Sequence, residues 1–385
     1  MVFLNESFQL LTYVGLWKPS TWYGWKSNIY NLYTILVIFL NYGFLLTITL
    51  NLVFISKTVE NISDDIFTFL VIFIVCAKIF GILRWRREIS EICMSFEASE
   101  LELRTYDELK IQKQYNNTIR FYCLAYIIMC CMASSINTLG RHHGNRGSNI
   151  LPYRIYLPYD YSTPFLYQFT ALLQFITVFI AANIDAGFDT LFFGVMVQII
   201  SKINILKHRF QVTVSALAEM HDEKSCNMED YKIKEDKFLK NWIKSHNAII
   251  SLYDDSEFVF SKVIFVQYSS SALPICTIVY LISQMEIFTS KFMGNLVTLI
   301  ILICQIFIFC FAGNQVTSEF SDLSLAIYNT KWFALSVSAR KNIIFMMMRT
   351  LKPIIFSSGY LVVLSLESFK SLLKVAYSMY SVLNS

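Results

Sequence analysis

Seven stretches of predominantly apolar sequence, each long enough to cross a bilayer as a helix, fix most of what this chain can become. A hydrocarbon core of about 30 Å needs about 20 such residues in helix. They fall near 29–55, 66–83, 118–139, 165–200, 260–284, 292–315 and 353–384. The second carries Lys78, and the seventh carries Glu367, Lys370 and Lys374. Composition agrees: 55% of residues are hydrophobic and only 16% charged, where a soluble domain has about 25% charged. The expected fold is all-α, a polytopic membrane protein in contact with lipid, with residues 1–385 as a single domain. Thirty-three Phe and 22 Tyr exclude a disordered chain. A net charge of only +4 with no dense basic tract excludes a nucleic-acid binder. The opening MVFLNESFQLLTYVGLWKP has no basic n-region and no cleavage site, so no cleavable signal peptide is expected.

Charge in the spacers orients the spans. Lys and Arg number two before the first span, six after the second, nine after the fourth and five after the sixth, twenty-two in all. The alternate spacers hold five: Lys57, Arg141, Arg146, Arg154 and Lys291. By the positive-inside rule the N-terminus is cytosolic and, with seven spans, the C-terminus extracellular. A G-protein-coupled receptor would show the reverse pattern. The sequon at Asn61 then falls in an outer loop, where it can accept a glycan.

Three further features bear on function. Span four runs from Phe165 to Ile200 without Pro, about 54 Å of helix, so it projects beyond the membrane. After it, Phe238, Leu239, Trp242, Ile243, His246, Ile249, Ile250 and Tyr253 recur at three- and four-residue spacing. That amphipathic face serves either packing within one subunit or a cytosolic bundle shared by several; the sequence leaves both open. The outer loop 140–164 holds three prolines and four tyrosines and is expected to be ordered on the outer surface, as a lid or as plain cover.

Chemistry is sparse. Five histidines form no metal pattern, no nucleotide-binding loop or nucleophile elbow occurs, and nine cysteines lie mostly in apolar runs. No cofactor is expected and an enzyme is disfavoured. Asp185 and Asp189 share a face of span four, and the expectation is that they sit toward its cytosolic half and pair with cations or cap nearby polar groups. On the seventh span Glu367, Lys370 and Lys374 lie on one face among several serines. Such a helix is tolerated where one face meets water or protein, as in a pore closed by apolar side chains, or where the charges pair within one subunit.

The stretch FCFAGNQVTSEFSDLSLAIYNTKWFAL (309–335), with Cys310, Gly313, Ser318, Ala326, Tyr328 and Trp332, resembles the end of span six in insect odorant receptors. The terminal SFKSLLKVAYSMYSVL is similar to that family's last helix, and LLTYVGLWKP to its N-terminal segment. The resemblance implies an odorant-binding subunit of a ligand-gated non-selective cation channel. It implies a tetramer with the last helix lining the pore, and cytosolic anchor portions here at 201–258 and 316–352. The partners implied are odorant co-receptor subunits and a small volatile organic ligand, with no G protein required, at the plasma membrane of the olfactory sensory neuron dendrite. The chain is more similar to the divergent tuning subunits than to the co-receptor. Val382 matches the gate valine, Ser385 stands at the co-receptor's Gln, and Ser378 and Lys374 line the pore; the co-receptor's second hydrophobic gate position has no counterpart. The implied pocket lies among spans two, three, four and six, at Phe69, Phe73, Met129, Met132, Ala133, Phe169, Leu173, Ile176 and Val297. The rival class is a multi-span transporter for a small apolar molecule, which would show matched helix breaks in two halves; only Pro274 interrupts a span.

Overall fold

The apolar runs become long helices because each satisfies its backbone internally, the condition lipid imposes on any spanning segment. The computed structural model describes residues 4–19, 21–55, 58–144, 150–222, 228–286, 289–352, 354–359 and 362–383. For residues 59, 60, 221, 222, 228 and 383 only the backbone is described. The helices are α1 (Asn5–Tyr13), α2 (Trp25–Phe54), α3 (Val59–Arg84), α4 (Arg86–Ser95), α5 (Tyr106–Gly144), α6 (Pro164–Asp222), α7 (Met228–Ser283), α8 (Ser290–Tyr328), α9 (Val337–Thr350) and α10 (Leu366–Leu383). Their starts carry the expected signals. Thr58, Thr289 and Ser336 accept the N–H of the residue three positions on, and Pro164 occupies the first turn of α6.

Among the described residues six helices are long and apolar enough to span a membrane: α2, α3, α5, α6, α7 and α8. Ile29, Leu32, Ile35, Leu36, Phe39 and Leu46 are exposed along α2, an apolar surface that suits lipid. The centre of the bundle is α6, whose Ile184, Leu191, Phe192, Val195 and Ile199 are wholly buried. On one side α1 lies against α6 at Gly187, where a Cβ would sit 2.8 Å from Leu11 Cδ2; the missing side chain is what lets the two helices touch.

At one end of the bundle α6 and α7 continue as an antiparallel pair. With 59 and 56 residues, they are about 88 and 84 Å long, far more than a bilayer needs. Their extension is held by Phe210 and Trp242, rings 5.5 Å apart, and α9 packs against α8 and α7. The expected amphipathic helix is thus the first half of α7. Leu239, Trp242, His246, Ile249 and Tyr253 are buried, while Ile243 turns outward. The opposite end carries the loop 150–163, which packs down through buried Leu151 and Tyr153; it is called the loop end below, and the other the anchor end.

The seventh stretch corrects the expectation of one helix from 353 to 384. Helix begins only at Leu366. Before it Ser357–Ser358 and Val362–Val363 form a two-stranded antiparallel hairpin, turned at Gly359 with φ 60°, a left-handed conformation that favours glycine. Side chains of α7 staple it in place. Glu257 accepts from the Ser357 N–H (2.8 Å) and hydroxyl (2.7 Å), and Ser261 Oγ accepts from Gly359 N–H (2.8 Å). Phe356 and Leu364 anchor both ends of the hairpin in the core. Hydropathy cannot separate such an apolar hairpin from a helix.

Candidate ligand site

Four helices, α3, α5, α6 and α8, leave between them a cavity of about 120 Å³. Each lines it with one face: Phe67, Thr68, Val71, Ile72 and Val75 from α3, and Cys130, Ala133, Ser134 and Asn137 from α5. Val178, Ala181, Ala182 and Asp185 come from α6, and Thr298, Ile301, Leu302 and Gln305 from α8. On each helix the lining covers eight or nine residues, so from first to last the cavity is about 10–12 Å long at 1.5 Å per residue. The walls are apolar and the polar side chains gather at its two ends.

The anchor-side end rests on a buried charge cluster. Lys78, at 0% exposure, donates to Asp185 Oδ1 at 2.6 Å and to Asp189 Oδ1. Gln305 Nε2 donates to Asp185 Oδ2 (2.7 Å) and Asp189 Oδ2 (2.6 Å), and the Tyr126 hydroxyl donates to Asp189 Oδ2 at 3.0 Å. The ammonium also faces the rings of Phe188 and Phe309 at 5.4 and 5.8 Å. The expectation that the two aspartates pair with a cation thus describes the structure, and the cation is the lysine within the second span. Asp189 and Lys78 are sealed, but the Asp185 side chain keeps 19% exposure and lines the cavity.

The loop end is closed by Tyr153. Its backbone exchanges two hydrogen bonds with the Gln174 side chain (3.1 and 2.9 Å), and its hydroxyl shares a 3.0 Å bond with Thr138. The Arg141 guanidinium lies 5.0 Å from its ring and pairs with Asp64 at 2.8 Å. Above this layer a polar recess is lined by Asn61, Asp64, Arg141, Arg154 and Asn295 among others. The sequon residue Asn61 therefore sits at the loop end, its N–H donating to Thr58 Oγ1.

Of the nine residues named for the pocket from sequence, Ala133 lines the cavity. Phe69, Met129 and Val297 are half-buried in neighbouring packing, and Phe69 stacks on Phe73 with rings 6.0 Å apart. Phe73, Met132, Phe169, Leu173 and Ile176 are exposed on the flank of the bundle. The four helices coincide with the expected ones, and on α3, α5 and α8 the difference is about one residue of helical rotation. On α6 the lining begins deeper, after Ile176. Tyr153, Asn137, Thr298 and Gln305 were missed, although a polar residue within an apolar run is the available signal for an inward face.

The terminal helix α10 has two faces. Leu372 and Ala376 are buried and Phe369 packs on Phe307 (5.5 Å), while the Tyr268 hydroxyl holds Ser368 O at 2.7 Å. Glu367, Lys370, Lys374 and Ser378 are all exposed, as is Val382 at 75%. Ser378 Oγ donates to Lys374 O at 2.9 Å. Ser385 lies outside the described residues.

Comparison with known proteins gives this arrangement its class. The family model for the 7tm odorant receptor matches residues 58–377. Odorant receptor 19a of Drosophila melanogaster is 31% identical over 146 residues, 38% of each chain, so that match spans little more than a third of either protein. Odorant receptor 10 of Aedes albopictus is 23% identical over 288 residues, 73% of each chain. Among solved structures, the insect olfactory receptor OR5 from Machilis hrabei in complex with eugenol superposes with a TM-score of 0.86. That superposition covers 99% of this chain and 97% of the other at 16% identity, a likeness of fold. The chain belongs to the insect odorant receptor family: an all-α, multi-pass membrane receptor rather than an enzyme.

Proposed function

We propose that the chain is the odorant-binding subunit of a ligand-gated, non-selective cation channel, heteromeric with co-receptor subunits in a tetramer. The observation that carries this reading is the 18-residue terminal helix, which packs one face on its own bundle and leaves Glu367, Lys370, Lys374 and Ser378 exposed. A charged, hydroxylated face is costly against lipid and suits a water-lined axis shared between subunits. In this reading Val382 lies at the gate, with Ser385 beyond it. The anchor portions 201–258 and 316–352 join subunits on the cytosolic side, where the N-terminus lies; the C-terminus and a glycan at Asn61 are outside. Localisation is the dendritic membrane of an olfactory neuron.

The ligand is a small volatile held in the cavity between α3, α5, α6 and α8, with Ala133 among its contacts. It acts by population shift, favouring whichever helix arrangement it binds better. The OR5 structure was solved with eugenol, which supports a ligand of that size class here. The test is whole-cell current from cells expressing this chain with an odorant co-receptor, across a broad volatile panel. The expected result is ligand-evoked cation current from the pair, absent from either chain alone and unchanged when G proteins are blocked. Uptake of a labelled volatile without current would favour a transporter and defeat the proposal.

A further inference from the structure

The two polar ends of the cavity differ in what they leave unspent. At the loop end every strong donor is committed. Asn137 Nδ2 donates to Asn295 and Thr298, while its Oδ1 accepts from Arg141 and Tyr153. Thr298 donates to Gly294 O, Thr68 to Asp64 O and Ser134 to Cys131 O. At the anchor-side end the remaining capacity is acceptor only. Asp185 accepts one bond on each oxygen, from Lys78 and Gln305. A carboxylate has about four lone-pair sites, so about two remain, on a side chain that opens into the cavity. Gln305 has committed its N–H groups to the two carboxylates, which leaves its Oε1. Apart from the weakly donating thiol of Cys130, every donor lining the cavity is already engaged within the protein.

Size narrows the ligand further. A cavity of about 150 Å³ lined by aliphatic side chains takes benzene, and this one is about 120 Å³. We propose that the cavity selects a compact ligand, one ring or its equivalent, that carries a neutral hydroxyl donating to Asp185. This rests on the cavity being the odorant site. A neutral donor is favoured over an ammonium because the rest of the wall is apolar and an ion would have to be stripped of water there.

Four probes of nearly equal size separate the possibilities: benzyl alcohol, benzaldehyde, ethylbenzene and benzylamine. Each is measured in two ways, by ligand-induced thermal stabilisation of the purified full chain and by current from the pair with co-receptor. The expected order has benzyl alcohol at least about 10-fold ahead of each of the others, which is about 1.4 kcal/mol. Asp185→Asn should close the gap between alcohol and aldehyde while leaving ethylbenzene unchanged. The four probes on the unaltered chain decide the matter even where that variant does not fold. Equal affinity for alcohol and ethylbenzene, a preference for aldehyde or amine, or no binding of any probe would overturn the proposal. Binding in the expected order without current would uphold it and defeat the channel reading alone.

Discussion

Lys78 lies within a helix apolar enough to span a membrane and Lys374 within the terminal helix α10, and the fold treats the two lysines in opposite ways. Lys78 is wholly buried between Asp185 and Asp189 on a neighbouring helix, and Gln305 and Tyr126 donate further hydrogen bonds to the carboxylates. Lys374 stands exposed on α10, in a row with Glu367 and Lys370. A charge in such a helix therefore carries two meanings. Where carboxylates lie on the adjacent helix it closes a network inside one chain and fixes which helix faces meet. Where none does, the charge stays exposed on the single chain, the face that the proposed channel would complete with water or other subunits.

The largest expected effect comes from breaking the closed network. Lys78→Met leaves two buried carboxylates without their cation, a change that costs about 3–5 kcal/mol in comparable buried pairs. Thermal unfolding in detergent and surface delivery should both report it. Converting Asp185 and Asp189 to Asn in the same chain removes the stranded charge and should recover most of that loss. A Lys78→Met chain as stable as the parent would show that the two regions do not differ in the way described.

His246 offers a second contrast, a buried titratable group at the anchor end whose charged neighbour is Arg349 rather than a carboxylate. Burial, then the nearby guanidinium, push its pKa down from 6.5 to about 4. The ring stacks on Trp242 at 5.2 Å. With the folded value below the unfolded one, the unfolded chain takes up the proton first, so stability falls as pH drops from about 6.5 towards 4. The loss is on the order of 2–3 kcal/mol by pH 4. His246→Phe should flatten the dependence in that window, measured as unfolding midpoint against pH, while Lys374→Gln should not.

The spans were legible because bilayer thickness and hydropathy dictate them, whereas the helix set of the pocket came only from the resemblance to the insect odorant receptors. The rotation of each helix was not legible. A helix between lipid and core is apolar all round, so no stripe marks its inward face. Phe73 and Met132 look as suitable for a pocket as Val71 and Cys130 do. The polar residues did carry that information: Thr68, Asn137, Asp185, Thr298 and Gln305 all line the cavity. Reading inward faces from them would have placed α3, α5 and α8 in phase. Tyr153 was hidden for another reason, since a loop residue reaches the cavity only through tertiary bonds to Gln174 and Thr138. The hairpin before α10 was hidden because its strands are two residues long.

That hairpin provides a third, smaller effect. At Gly313 of α8 a Cβ would stand 2.6 Å from Leu364 Cβ and 2.9 Å from its carbonyl oxygen. Backbone cannot swing aside as a side chain can, so Gly313→Ala should displace the hairpin and the start of α10. Overpacking of this kind costs about 1–3 kcal/mol. A lowered unfolding midpoint, together with altered ligand-evoked current, is the expected pair of results. Unchanged current would mean that α10 does not depend on how the hairpin seats it.

The smallest effect on stability is expected at the open row itself, and there the comparison is decided. Lys374→Gln removes an exposed charge, and exposed substitutions of this kind shift stability by no more than about 0.5 kcal/mol. If the face meets water along a conduction path, removing a positive charge from it raises the local concentration of cations. Single-channel conductance of the heteromer should then rise, most at low ionic strength, where screening is weak. Glu367→Gln on the same face should lower it. A conductance unchanged by both, with folding intact, would mean that the exposed charges of α10 face protein or headgroups rather than an aqueous axis.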